Sequence, residues 1–119
     1  MANLLVPSIN ALEVQLDGTT DFDSTTDLVL GGLTRNAPNG LRIKSIRFDP
    51  SHANDEVIVR DGQNGPAIFR AVTIGRYDNL YEPYHEDGNF ARGKVMNPYI
   101  DHNECIVANP NLASIIFEF

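Results

Sequence analysis

The sequence predicts an all-β protein, an antiparallel sandwich or jelly-roll-like domain of about seven or eight strands. Two observations carry that expectation. Nine glycines and seven prolines punctuate the whole of the 119-residue chain, and the runs between them are short and rich in β-branched and aromatic residues. No stretch holds a helical periodicity bounded by caps.

In chain order, Leu12, Val14 and Leu16 alternate with Glu13 and Gln15, the pattern of a half-buried strand. A polar loop follows over Asp17–Thr25. Asp27–Leu30 reads as a strand closed by Gly31 and Gly32, and residues 36–40, Asn-Ala-Pro-Asn-Gly, signal a turn. Leu41–Phe48 is the clearest strand. Leu41 and Ile43 share one parity, Ile46 and Phe48 the other, so the segment changes cover or bulges near Ser45. Glu56–Arg60 and Ala67–Val72 form a hairpin around Asp61-Gly62-Gln63-Asn64-Gly65-Pro66, which is rich in residues that tolerate positive φ. Arg60 and Arg70 flank that hairpin on opposite strands. Val95–Ile100, Glu104–Ala108 and Ala113–Phe119 complete the set, with a turn at Asn109-Pro110-Asn111. The run Ile115-Ile116-Phe117-Glu118-Phe119 is too apolar to be left unpaired, which places the last strand inside a sheet beside an early one. Thr73–Phe90 is longer than an ordinary connection, so it is functional or holds a further strand. Residues 1–10 form an arm or edge strand and residues 11–119 the single domain.

Composition excludes several classes. Sixteen acidic residues against nine basic ones give a net charge of −7, with only two lysines, Lys44 and Lys94. A phosphate-tracking surface needs clustered bases, so no nucleic-acid partner is expected. No apolar run approaches the roughly 18 residues of a membrane span, so no membrane partner is expected either. The single cysteine, Cys105, excludes an intrachain disulfide and suits a reducing cytoplasm, where the chain is expected to be made and folded.

The titratable clusters do not form a recognisable catalytic motif. Asp17, Asp21, Asp23 and Asp27 share one loop, but without the spacing of a calcium loop. His85, Glu86 and Asp87 form one group, and Asp101, His102 and Glu104 another. Together they offer imidazole and carboxylate ligands without metal-site spacing. Cys105 lies three residues from His102, on the opposite face of an extended strand, and reads as a core thiol. There is no Gly-x-Ser-x-Gly elbow, P-loop or dinucleotide fingerprint. The expectation is therefore no enzyme, no cofactor and no metal.

The residues suited to an interface are aromatic and apolar. Tyr77, Tyr81 and Tyr84, with Phe90 and Tyr99, carry large rings, and tyrosine adds a polar tip. They suggest a protein contact, a carbohydrate-stacking patch or anchors pinning a loop to the core. Leu4, Leu5 and Val6 read as an arm that docks on a neighbouring subunit by strand addition, or as the first strand of its own sheet.

The segments Leu41-Arg42-Ile43-Lys44-Ser45-Ile46-Arg47-Phe48, Glu56-Val57-Ile58-Val59-Arg60-Asp61-Gly62, Gly65-Pro66-Ala67-Ile68-Phe69, Pro98-Tyr99-Ile100-Asp101 and Ala113-Ser114-Ile115-Ile116-Phe117-Glu118 resemble a type of small β protein that tailed bacteriophages encode, commonly among their head genes. The resemblance implies a structural virion component, a capsid decoration or cement protein at the capsid surface. Its implied partners are the major capsid protein and further copies of itself, as in a homotrimer. A carbohydrate- or receptor-binding module of the tail or fibre is the competing expectation.

Overall fold

In the computed structural model of the chain, the residues described are 3–7, 11–24, 41–73, 80–83, 88, 90–91 and 94–118. Among them lie twelve strands and one short 3-10 turn. The alternation that marks a half-buried strand appears directly in β2 (Ala11–Leu16), where Leu12, Val14 and Leu16 are sealed from solvent. β12 (Ala113–Glu118) lies against it antiparallel, Ile115 opposite Val14 and Phe117 opposite Leu12. The other edge of β12 pairs with β5 (Ser45–Asp49). β1 (Leu4–Pro7) adds outside β2, and β8 (Leu80–Pro83) outside β5. The first sheet thus runs β1-β2-β12-β5-β8. Its outer strands β1 and β8 each end on a proline, which cannot donate to a sheet ladder and is tolerated at edges.

The second sheet is built on the hairpin of β6 (Glu56–Asp61) and β7 (Ala67–Val72). The ladder slips between Val59 and Arg60, so Ile68 is the extra residue. Ile68 and Phe69 then both face inward and are both buried, as a β-bulge allows. The opposite edge of β6 is met twice, by β10 (Pro98–Ile100) near Arg60 and by β11 (Cys105–Ile106) near Val57. β10 also pairs with β3 (Phe22–Asp23). β4 (Leu41–Arg42) and β9 (Val95–Met96) form a separate two-stranded ribbon.

The two large sheets share one core, in which Phe22 of β3 stacks on Phe117 of β12 at 5.9 Å between ring centroids. Burying each such ring contributes roughly 1.5–3 kcal/mol. This is the all-β, antiparallel, sandwich-like architecture that the sequence predicts, with the Ala113 strand inside a sheet beside an early one.

Several elements differ from expectation. Leu41–Phe48 is two strands in two sheets: it breaks at Ile43–Lys44, and the change of hydrophobic parity marks where the chain crosses between them. Val95–Ile100 divides in the same way at Asn97. Glu104–Ala108 shrinks to Cys105–Ile106, because His102–Glu104 closes a 3-10 turn capped by the Asp101 carboxylate on the Asn103 N–H. The stretch 73–90 does hold a further strand, β8. The polar loop 17–25 contains β3, and Leu4–Pro7 is an edge strand of its own sheet. Asp27–Leu30 lies outside the described residues.

Candidate functional site

The strand opposite β6 is interrupted. Tyr99 faces Arg60 and Cys105 faces Val57, so residues 100–104 span a stretch that Ile58 and Val59 cover on β6. The surplus chain is thrown outward as the Asp101–Glu104 turn. This has two results: a cluster of titratable groups above the sheet and a groove beside it.

The cluster joins residues some 80 positions apart. Asp21 Oδ1 accepts the backbone N–H of His102 at 2.9 Å and lies 2.6 Å from His102 Nδ1. Asp21 Oδ2 accepts the Tyr99 hydroxyl at 2.5 Å. Asp101 Oδ1 stands 3.8 Å from His102 Nδ1. The donors to Asp21, the His102 N–H first and then the Tyr99 hydroxyl and the imidazole, hold its carboxyl down to about 2. Conversely, the carboxylate beside it pushes the Tyr99 phenol up to about 12, and the same carboxylate raises His102. At neutral pH the arrangement is a carboxylate held between a phenol and the His102 ring.

Glu104, grouped in sequence with Asp101 and His102, turns away from them. Its two oxygens take the Arg60 guanidinium in a fork, Nε at 2.8 Å and Nη2 at 2.7 Å. Arg60 Nη1 also donates to the Gly65 carbonyl at 2.9 Å, bracing the hairpin turn. Among the described residues, the acidic loop does not converge on a calcium site either. Asp17 is buried and caps its own turn, accepting the N–H groups of Thr19 and Thr20 at 2.8 and 2.9 Å. Burial pushes its carboxyl up, but these bonds and the two threonine hydroxyls leave it lowered. Asp27, His85, Glu86 and Asp87 lie outside the described residues. Cys105 is buried, and desolvation, with Asp17 and Asp55 nearby, drives its thiol up to about 12. A thiol so far from ionisation is no nucleophile.

The groove opens where the strand leaves β6. Val72 of β7, Glu56 of β6 and Ile106 of β11 stand side by side across the outer face. Ile58, Arg70, Asn103 and Glu104 complete its walls. Val72 and Ile106 are 59% and 57% exposed and both line the groove. Sequence alternation could have located this face, since Ile58, Val72 and Ile106 lie on the outward parity of their strands. The missing signal was the turn that leaves Ile58 without a cross-strand neighbour on that side.

The aromatic set is dispersed. Phe90 and Tyr99 are buried, at 2% and 8% exposure, which corrects their assignment to an interface: both rings pack into the domain, and the Tyr99 hydroxyl is taken by Asp21. Tyr81 occupies a position in β8 opposite Arg47. Tyr77 and Tyr84 lie outside the described residues. Leu4, Leu5 and Val6 sit in β1, with Val6 48% exposed. No helix among the described residues is long and apolar enough to cross a membrane. No family model, curated protein or solved structure matches the chain.

Proposed function

We propose that the protein is a structural component of a tailed-phage particle, a capsid decoration protein that attaches to the major capsid protein through the outer face of β6, β7 and β11. The observation that carries the reading is the groove, in which Val72 and Ile106 stand exposed on either side of Glu56. Within it, Glu104 is neutralised by Arg60, while Glu56 and Arg70 lie beside the apolar pair and offer a protein partner polar contacts there. The rest of the acidic surface keeps the free protein soluble before assembly. The resemblance of the Leu41, Glu56 and Ala113 segments to phage head proteins supports the same reading.

Two experiments test it. Mass spectrometry of purified particles is expected to find the chain at stoichiometric abundance, and its absence overturns the proposal. Val72→Asp and Ile106→Asp, both at exposed positions, are expected to leave the fold intact by circular dichroism and abolish particle binding. Undiminished binding of both variants removes the groove from the mechanism.

A further inference from the structure

We infer that Asp21, Asp101 and His102 form a binding site for a divalent first-row metal ion such as Zn2+. The Asp21 and Asp101 carboxylate oxygens and the His102 imidazole nitrogen all lie within 4.8 Å of one another. An imidazole nitrogen with two carboxylate oxygens is a donor set that first-row metals accept, and the imidazole distinguishes the site from a patch of surface acids. The three side chains remain 35%, 27% and 42% exposed, so an ion and its waters have an approach.

The surroundings favour a cation. Asp17, Asp21 and Asp101 all bear on His102, and Asp23 adds to the negative field at Tyr99. Arg60, which senses Asp101, has its guanidinium engaged by Glu104. The ligands are also held in place by groups outside the set. Tyr99 fixes Asp21 through Oδ2, leaving Oδ1 directed at the imidazole. The Asn103 N–H fixes Asp101, and the interrupted strand fixes the turn that carries His102. Such outer contacts set ligand orientation in metal sites. An ion entering at about 2.0–2.2 Å from each donor takes the Nδ1 lone pair of the neutral imidazole, whose single proton then sits on Nε2. Two donors on a tetrahedral ion stand about 3.3–3.6 Å apart, so the 2.6 Å Nδ1–Oδ1 separation widens by roughly 0.7–1 Å, which breaks the hydrogen bond between them.

The test is calorimetric titration of the metal-stripped protein with ZnCl2, alongside Asp21→Asn, His102→Gln and His52→Gln. The wild type is expected to bind one equivalent with micromolar affinity. Asp21→Asn and His102→Gln are each expected to weaken binding by about tenfold or more, while His52→Gln, which removes a separate exposed imidazole, leaves it unchanged. Perturbation of the His102 ring resonances by Zn2+ provides a second readout that does not require the variants to fold. Failure of the wild type to saturate, retention of affinity in both cluster variants, or loss of it in His52→Gln overturns the inference.

Discussion

The Asp55 carboxylate accepts the backbone N–H of Ala108 at 3.0 Å and so ties together two turns 53 residues apart. Its other oxygen accepts the Ser51 N–H and hydroxyl, both at 2.6 Å, and the His52 N–H at 3.1 Å. Asp55 is buried, so removing it leaves these donors without their acceptor. Asp55→Ala is expected to cost about 2–4 kcal/mol and Asp55→Asn less, because the amide oxygen can still accept. Urea unfolding monitored by circular dichroism measures both.

The same group sets an acid limit. Burial pushes the Asp55 carboxyl up, but its hydrogen bonds from Ser51, Ala108 and His52 leave it below its ordinary 3.8, and Asp17 behaves likewise. A carboxyl lowered by folding contributes stability that is present above its unfolded value and lost as pH falls through the folded one. Stability is therefore expected to decline below about pH 4. Asp55→Asn flattens that decline, a result read from melting temperatures between pH 2 and 6.

Arg60 supports the hairpin only as an arginine. A lysine cannot make a two-pronged contact with Glu104 and still reach the Gly65 carbonyl. Arg60→Lys and Glu104→Gln are each expected to lower the melting temperature. The double variant falls short of the sum of the two, since the pair is lost once.

The hairpin turn discriminates sharply between its glycines. A Cβ on Gly65 would stand 1.9 Å from the Asp61 carbonyl oxygen, whereas one on Gly62 meets nothing within 4 Å and contends only with φ of +80°. Gly62→Ala is expected to cost about 1 kcal/mol. Gly65→Ala is expected to cost more, because backbone has to move, and the comparison is again one of chemical denaturation.

Cys105 is expected to resist Ellman's reagent at pH 8 in the native protein and to react as one thiol in urea, following its burial and raised ionisation. Fast native labelling would contradict this.

The parts of the fold that the sequence discloses are those governed by local pattern. Leu12, Val14 and Leu16 alternate over a whole strand, and the Asp61–Pro66 turn carries its own conformational signature. What stays hidden depends on distant partners. β3 is two residues long, and only its pairing with Tyr99 and Ile100 makes it a strand. Asp21 looks like one of four loop acids until folding brings it to His102. Glu104 has two neighbours in sequence that suggest metal chemistry, yet its partner is Arg60, 44 positions away. Phe90 and Tyr99 show the reverse difficulty, since an aromatic residue carries no mark of whether it faces outward or inward.

The position of β12 between β2 and β5 has a consequence for timing. Both neighbours emerge from the ribosome long before it does, and neither can pair with the other. Until Glu118 has cleared the exit tunnel, the first sheet has an open gap at its middle, with Leu12, Val14, Ile46 and Phe48 lacking their cover. Folding of this half has to wait for β12, and contacts between segments so far apart in the chain make it slow. Over that interval the nascent protein depends on whatever keeps unpaired strands from meeting those of another chain.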